Sequence, residues 1–381
     1  MRDPLRMDAS PNDPGDRPFV LGEGRIAGYV SSALGLCALL GVLCFRYPEW
    51  LTTPEFRASL YSFSFVRGLL WLGIVVAFGL GLVSYLLCER KRLAVVGLGS
   101  SLAAVLLGAF AVTERPVADV PFSFGLDWFL LSFVFSMLIF VPLEKAFARQ
   151  PLRVLRPEWR TDLTYFAVSH LLIQFFLLFT NAVHQHLLGW AQSPALAAFA
   201  GGLPVWLQFV ACVFVADLCQ AVSHRWYHEV PWLWRFHAVH HSSRHLDWLA
   251  GSRMHFVEVL ITRTAVIVPL YLIGFSRAAL DAYVVLVGVQ AVLAHANVNW
   301  RFGWLEYVLV TPRYHHWHHS DDPAHANTNY AVHLPVIDVL LGSFKLPAEG
   351  WPASYGLIGE PMPDGFLRQF VRPFRRGSAA G

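Results

Sequence analysis

Long apolar runs recur along the chain, and they constrain its fold more than any other feature of the sequence. A helix needs about 20 apolar residues to cross a hydrocarbon core about 30 Å thick. Of the 381 residues, 55% are hydrophobic and only 14% are charged, whereas about a quarter of the residues of a soluble domain are charged. Six runs are long enough to span a bilayer: 26–46, 68–88, 93–113, 124–143, 163–181 and 203–222.

A further apolar stretch, 258–294, is long enough for two passes. It is interrupted at "IGFSRAALD", where glycine and polar residues break the apolar pattern. This interruption predicts a helical hairpin. The sequence therefore predicts an all-α fold, a polytopic transmembrane helical bundle.

Composition divides the chain into four segments: a polar, proline-rich tail (1–25) that we expect to be disordered, N-terminal transmembrane helices (26–200), a histidine-rich domain (201–346) and a basic tail (347–381). In the last segment, "FLRQFVRPFRRGS" alternates phenylalanines with arginines. It is either a solvated basic terminus or a helix that lies on anionic headgroups and is interrupted by Pro373.

The distribution of basic residues predicts the orientation in the membrane. Lysine and arginine concentrate in the loops 88–92 and 144–160, and the positive-inside rule places both loops in the cytoplasm. The sixth span then ends in the cytoplasm near Ser223, and the hairpin returns to the same side. Of the 17 histidines, 14 lie beyond residue 220. We therefore expect a cytoplasmic, histidine-rich helical cap, in a protein of the bacterial inner membrane.

The histidines occur at helical spacing, which indicates a metal site. His224 and His228 are four residues apart, so both lie on one helical face. The same spacing of three or four residues recurs in "HAVHH" and "HHWHH". Neutral imidazole binds iron, zinc and copper well. The three motifs together contain eight expected ligands, which are more imidazoles than one ion can coordinate, so the sequence predicts two metal ions. The eight are His224, His228, His237, His240, His241, His315, His318 and His319.

Two common metalloenzyme motifs do not fit. A zinc hydrolase HExxH motif would need a second histidine at position 232, where the chain has Trp232. Carboxylate-bridged di-iron bundles use Glu-x-x-His, and no glutamate here has a histidine three residues later. A nearly all-histidine, oxygen-activating di-iron site is the class that remains.

Residues 217–346 resemble the fatty acid hydroxylase and sterol desaturase superfamily of membrane di-iron oxygenases. The motifs "HRWYH", "HAVHH" and "HHWHH" match the three histidine boxes of that family. Shorter stretches match as well, namely "HSS", "SRMHFVE", "HAN", the pair Asn329-Tyr330 and "IDVLLGSF". The resemblance implies a di-iron catalytic domain in which the eight box histidines are metal ligands.

The resemblance also implies roles for residues outside the boxes. His295 matches the first histidine of a weaker box, so it is a ninth expected ligand. Some relatives have a second histidine nearby, where this chain has Asn297 and Asn299. Either one metal then has fewer imidazole ligands, or an amide oxygen such as that of Asn299, a water molecule or His255 completes the coordination. The alternative for His255 is a hydrogen-bonded structural residue beside Arg253 and Glu258. Glu258 is a further candidate around the metals. Asp217, seven residues before His224, could hold the second N–H of a ligand, or it could cap an internal polar contact. His316 falls on a variable position and is not expected to bind metal.

The expected activity is the O2-dependent hydroxylation or desaturation of a membrane lipid such as a fatty acyl chain, a sterol or an ether lipid. The cofactors would be two iron ions, with O2 as co-substrate. Because the sequence has no Rossmann glycine motif, the electrons would come from a separate donor protein or a pteridine. A net charge of +3 without a basic aromatic patch predicts no nucleic-acid partner. A membrane metallohydrolase and a metal transporter are the alternatives.

Overall fold

The computed structural model describes residues 23–59, 64–109, 122–348, 350–359 and 361–375. Most of the tail predicted at 1–25 lies outside these ranges. Within them the chain is helical, and its only β-structure is two isolated bridges, one between Ala148 and Val298 and one between Ser320 and Tyr355. The all-α prediction is therefore confirmed.

Sixteen α-helices are described, joined by short 3₁₀ turns and one π-helical turn. They are α1 (Arg25–Arg46), α2 (Pro48–Leu51), α3 (Pro54–Ser59), α4 (Ser64–Leu87), α5 (Arg92–Leu106), α6 (Leu126–Ala146), α7 (Trp159–Leu171), α8 (Ile173–Ala182), α9 (Pro194–Gly202), α10 (Val205–Glu229), α11 (Pro231–His241), α12 (Phe256–Ile273), α13 (Arg277–His295), α14 (Pro312–His318), α15 (Pro335–Leu341) and α16 (Phe366–Val371).

Six of the described helices are long and apolar enough to cross a membrane, namely α1, α4, α6, α10, α12 and α13. This number fits a multi-pass membrane protein. A seventh span is possible because α7 and the helical segment that follows it pass the same test together, although they are bent by 49°. The helix α5 has only 15 residues, about 22 Å at 1.5 Å per residue. The end of the span predicted at 93–113 lies outside the described residues.

The first compact unit of the chain, residues 1–130, packs α1, α4 and α5 through small side chains. The Ser31 hydroxyl donates to the carbonyl of Ala77, and that of Ser32 donates to the carbonyls of Gly28 and Leu93. A Cβ atom on Gly97 would lie 1.9 Å from Ser31 Oγ, so this contact requires glycine. Small residues at helix contacts are typical of membrane bundles.

The second compact unit, residues 131–381, contains all the histidine motifs. Its apolar core lies between α10, α12 and α13 and includes Cys212, Val213, Val266, Leu270 and Tyr283. The helix α10 continues to Glu229, seven residues beyond the predicted span. The prediction ended where the apolar run ends, but polar residues continue the same helix. It ends where Pro231 starts α11, a position at which proline is compatible with a new helix.

Candidate metal centre

Nine histidines converge in two neighbouring groups. In each group, every ring offers one nitrogen as a ligand atom, and these nitrogens all lie within 4.8 Å of one another. The five-histidine group consists of His224, His228, His237, His241 and His318. The four-histidine group consists of His240, His295, His315 and His319. These are the nine residues that the sequence singled out, and their role as ligands stays a prediction.

Four helices place the histidines at one end of the bundle. His224 and His228 lie one turn apart near the end of α10, and His295 is the last residue of α13. The amphipathic helix α11 carries "HAVHH", and α14 carries "HHWHH" up to its C-cap, His319. The two distant sequence blocks that were expected to converge meet here: Nε2 of His295, in the second block, lies 3.3 Å from Nε2 of His240, in the first.

The spacing between Nε2 atoms fits shared metal ions. In the five-histidine group, His237 Nε2 lies 3.1 Å from Nε2 of both His224 and His241. In the four-histidine group, His295 Nε2 lies 2.9 Å from that of His315 and 3.3 Å from that of His240. Two nitrogens bound to one ion at about 2.1 Å are about 3 to 4 Å apart. The donor sets therefore fit two metal ions.

The other ring nitrogen explains why these close pairs need a cation. His224 Nδ1 lies 2.8 Å from the carbonyl oxygen of Tyr330, and His237 Nδ1 lies 2.7 Å from Glu258 Oε1. An oxygen acceptor at Nδ1 fixes the proton there, so that Nε2 carries a lone pair. Two lone pairs that face each other at 3.1 Å repel, and a metal ion between them removes the repulsion.

Similar acceptors orient three more rings. His240 Nδ1 donates to the carbonyl of Arg253, His295 Nδ1 to that of Ala291 and His318 Nδ1 to that of Thr328. Such outer partners fix the tautomer of metal-binding histidines. In addition, Nε2 of His228 and of His318 is buried without a hydrogen-bond partner among the described residues. Buried polar atoms without partners are rare, and a metal ion would satisfy both.

Burial keeps the histidines that lie outside the membrane-spanning helices neutral. Burial lowers the pKa of six of them well below 6.5, and nearby imidazoles lower it further because they repel a second positive charge. The six are His237, His240, His241, His315, His318 and His319. Neutral imidazole is the form that binds metal. These rings therefore do not have to lose a proton before they bind an ion at neutral pH.

The two carboxylates predicted near the metals have different positions. Glu258 contacts the ring of His237 directly, and its second oxygen is buried without a partner. Of the two roles predicted for Asp217, the structure shows the internal polar contact and no contact with a histidine side chain. Its oxygens accept the backbone N–H groups of Val332 and Leu334. Asp217 thus fixes the turn that presents the Tyr330 carbonyl to His224.

The candidates His255 and Asn299, and also His316, lie outside both groups. His255 caps α12, where its Nδ1 accepts the N–H of Val257 and its Nε2 donates to the carbonyl of Phe370. Asn299 is exposed, and its backbone N–H donates to the carbonyl of Phe147. His316, which was not expected to bind metal, donates or accepts at the hydroxyl of Tyr355, 2.7 Å away. The structure therefore does not bring His255 or Asn299 to the candidate metal positions.

Some residues that support the site were not assigned a role from the sequence. Asp338 accepts from the N–H groups of Tyr330 and Ala331 and from the hydroxyl of Tyr314, so it holds the same turn as Asp217. Arg253 is fully buried between Ser242 and Asp162, which fixes the carbonyl that faces His240. Asp338 lies in the stretch "IDVLLGSF", which matches the family, but this match did not predict which groups Asp338 contacts.

Access to the centre differs between the groups. His228 is the one member of the nine that is partly exposed, whereas the other eight are buried. The ring of Trp234 lies 5.1 Å from that of His228 and 5.6 Å from that of His241. Trp234 thus packs against two rings of the five-histidine group, including its one partly exposed member.

Comparison with known proteins agrees with the resemblance found in the motifs. Residues 209–343 match the fatty acid hydroxylase family, and this range holds all nine histidines of the two groups. The ornithine lipid hydroxylase OlsE of Rhizobium tropici is 38% identical over 176 residues, which cover 45% of this chain and 52% of that protein.

Two further relatives act on other lipids, according to their names. Human cholesterol 25-hydroxylase is 32% identical over 42% of this chain and 60% of its own length. The alkylglycerol monooxygenase of Caenorhabditis elegans is 23% identical over 39% of this chain and 29% of its own length. The chain thus spans between 29% and 60% of the length of these three curated relatives. No solved structure matches the chain significantly.

Proposed function

The chain carries a fatty acid hydroxylase domain at residues 209–343, and from this premise we propose that it is a membrane lipid hydroxylase with two iron ions. The observation that carries the proposal is the convergence of nine imidazoles, from four helices, in two groups with Nε2 atoms at metal-sharing distances. Imidazole suits iron, and the named relatives hydroxylate or oxygenate lipids.

Iron bound by the two groups would supply the activation of O2. One oxygen atom would enter a C–H bond of the lipid, and the other would be reduced to water with two protons and two electrons from an external donor. The protein's own residues orient and shield this centre. Carbonyls and Glu258 hold the Nδ1 protons, so that the Nε2 lone pairs face inward. Burial of eight of the nine rings excludes water, which limits side reactions.

The composition of the two groups favours an oxygenase over a metallohydrolase. A hydrolase needs a carboxylate base beside its metal-bound water, and among the described residues both groups consist of histidine alone. The carboxylate nearest to the five-histidine group, Glu258, is engaged by His237. A transporter would place ionisable ligands near mid-membrane, whereas these histidines lie at the ends of α10 and α13.

The substrate we propose is a membrane lipid that reaches the five-histidine group from the bilayer. Trp226 and Trp232 are each more than half exposed near His228 in the sequence, at 57% and 55%. Exposed tryptophans are typical of the membrane interface. The relatives' names offer three lipid classes, an ornithine lipid, a sterol and an alkylglycerol, and oxidation of the last would lead to ether cleavage.

We also propose that the metal centre faces the cytoplasm of a bacterial cell and receives electrons from a separate donor protein or a pteridine. The basic loops 88–92 and 144–160 share the cytoplasmic side only if an even number of spans separates them. Because α6 and α5 lie between them, this orientation requires α5 to cross the membrane. Labelling of an engineered cysteine in each loop from one side of intact vesicles tests it.

The decisive experiment is lipidomics of cells that express the intact protein under 18O2. We expect one lipid class to gain a single 18O atom, and the gain to be absent with His240→Ala. The matched control is His325→Ala, because His325 lies outside both groups and contacts Trp317 and Asp322. A lipid that gains oxygen without 18O would have taken it from unlabelled water, which would indicate hydrolysis. Unchanged oxygenation by the His240→Ala variant would refute the assigned site.

A further inference from the structure

Two polar side chains lie inside the candidate membrane spans α10 and α13, and both hold backbone groups of a turn between these helices. Asp217 accepts the N–H groups of Val332 and Leu334. Gln290 Nε2 donates to the carbonyl of His333, and Gln290 Oε1 accepts from His333 Nδ1, 2.7 Å away. Asp217, Gln290 and His333 are all buried. This turn is therefore fixed to both spans by side-chain hydrogen bonds.

The positions of these two side chains show how far the turn lies from the histidine groups. Asp217 is seven residues before His224 in α10, and Gln290 is five residues before His295 in α13. At 1.5 Å per residue, these separations are about 10 Å and about 7.5 Å along the helix axes. The turn thus enters the region between the two spans instead of remaining beyond their ends.

Helix α15 follows the turn and runs along α10 toward the metal centre. Its inner side chains Ile337 and Leu341 belong to one apolar cluster with Leu218 and Ala221 of α10. At the end of α15, the carbonyl of Leu341 accepts from Arg225 Nη1 at 3.2 Å. Since α15 starts at the turn and ends level with Arg225, it lies beside the last apolar residues of the α10 span.

The outer face of α15 is an exposed apolar stripe. Val336, Val339 and Leu340 have the i, i+3, i+4 spacing of one helical face, and they are 44%, 59% and 67% exposed within the described part of the chain. The neighbouring 3₁₀ turn adds the exposed side chains of Trp304 and Tyr307. A contiguous exposed apolar patch marks a contact with a membrane or with another molecule.

The charges around the stripe fit a membrane rather than water or a polar partner. The turn and the exposed patch belong to two segments of the chain, 302–310 and 332–341. These segments contain two acidic residues, Glu306 and Asp338, and no lysine or arginine. Both acidic residues are buried, so neither charge reaches the surface. Exposed cations flank the segments instead, Arg301 before the first and Lys345 after the second. Flanking cations, with tryptophan and tyrosine between them, are typical of the membrane interface.

We propose that the two segments form a re-entrant part of the protein, which lies in the membrane leaflet next to the metal centre with the stripe against lipid acyl chains. In hydrocarbon, every backbone polar group needs a partner within the protein. Asp217 and Gln290 supply such partners to the non-helical turn, which explains why two apolar spans carry buried polar residues there. Helix α14 lies between the two segments in the chain, so the membrane contact also anchors "HHWHH". The re-entrant part needs neither a bound metal nor oxygenase activity.

The test is photolabelling of the full-length protein in liposomes of phosphatidylcholine that carries a diazirine in one acyl chain, followed by mapping of the labelled peptides by mass spectrometry. We expect residues 336–340 to be labelled as strongly as the exposed residues Val285 and Val289 of α13. The mostly exposed loop 321–328 is the internal control and should stay at background. Labelling of 336–340 at the background level would overturn the proposal.

A water-soluble carbene reagent, applied in parallel, identifies what covers the stripe if lipid does not. Labelling by this reagent but not by the lipid would place the stripe in water. Protection from both reagents would indicate that another protein or a second copy of the chain covers it. Either result contradicts the re-entrant arrangement.

Variants test the stripe directly. Val339→Asp should reduce the lipid label on α15 more than about tenfold, because a charged side chain is excluded from hydrocarbon, whereas Val339→Leu should keep the label. Ala324→Asp is the matched control, since Ala324 lies exposed in the 321–328 loop. The label on α10 and α13 reports whether each variant still inserts. If inserted Val339→Asp keeps the full label on α15, residue 339 lies outside the hydrocarbon and the proposal is wrong.

Discussion

The two histidine groups are built from one residue type, yet their surroundings differ. In the five-histidine group, His237 donates to a carboxylate, Glu258, and His228 is partly exposed. In the four-histidine group every ring is buried, and the Nδ1 partners of His240 and His295 are backbone carbonyls. The five-histidine group is thus the more accessible of the two and has a carboxyl group beside it, and with the proposed function we infer that the substrate meets this side of the centre.

The largest effect that tests this comparison comes from removing one imidazole from each group. His237→Ala should empty the five-histidine group, because His237 Nε2 is within 3.1 Å of two other Nε2 atoms. His240→Ala should empty the four-histidine group. We expect metal content, measured by mass spectrometry of the purified protein, to fall from about two ions to about one in each variant, and turnover to fall more than about 100-fold.

The control for both variants is His325→Ala, which should keep its metal and its activity. If a single substitution released both ions, the two groups would be one cooperative site rather than two. If neither substitution lowered the metal content, the nine histidines would not be the ligands.

The next largest effect is expected at Glu258. Glu258→Ala removes the acceptor of His237 Nδ1, and loss of such a partner typically lowers metal affinity or activity about 10- to 100-fold. Glu258→Gln keeps an oxygen acceptor at a similar position, so its loss should be smaller. Metal titration of both variants should show weaker binding at the five-histidine group alone. Equal weakening of both ions would mean that Glu258 supports the fold rather than one ring.

The spans were predictable because their cause is local. A run of apolar residues fixes a membrane helix, so that α1 was expected at 26–46 and is found at Arg25–Arg46. The break near Gly274, which adopts a left-handed φ of 84°, was also readable. The end of α10 was not, because hydropathy falls at Ser223 while the helical hydrogen bonds continue to Glu229.

The nine histidines could be chosen from spacing and resemblance, but the arrangement around them could not. The acceptors that orient His224, His240 and His318 are backbone carbonyls, and any residue type supplies a carbonyl. Asp217 shares a helical face with His224, yet its carboxylate satisfies two N–H groups of a turn more than 110 residues away in sequence. Only the tertiary fold shows such partners.

A pH dependence should be common to both groups. Each group contributes three of the six histidines of α11 and α14, including the C-cap His319, whose pKa burial holds well below 6.5. The unfolded chain binds protons at these positions below about pH 6.5, whereas the folded chain does not. The metal-free protein should therefore lose stability as the pH falls from about 7.5 to about 5.5.

Thermal unfolding of the metal-free protein at several pH values checks this dependence. His237→Ala and His240→Ala should each reduce the slope by a similar amount, because each removes one group that the folded state keeps neutral. A protein whose stability rose on acidification would contradict the buried, neutral imidazoles in both groups.

The smallest effect is expected at Asp217, which acts on the five-histidine group at one remove. Asp217→Asn leaves one oxygen to accept from Val332 or Leu334 and turns an N–H donor toward the other N–H group, so one buried hydrogen bond is lost. That loss should cost about 1–3 kcal/mol of stability. Because the turn also carries the Tyr330 carbonyl that orients His224, metal affinity should fall a few-fold at this group and remain unchanged at the other.

Paired measurements of unfolding and of metal affinity separate the two consequences. If stability fell while both affinities stayed constant, the 330–334 turn would be held well enough by Asp338 alone, which accepts the N–H groups of Tyr330 and Ala331.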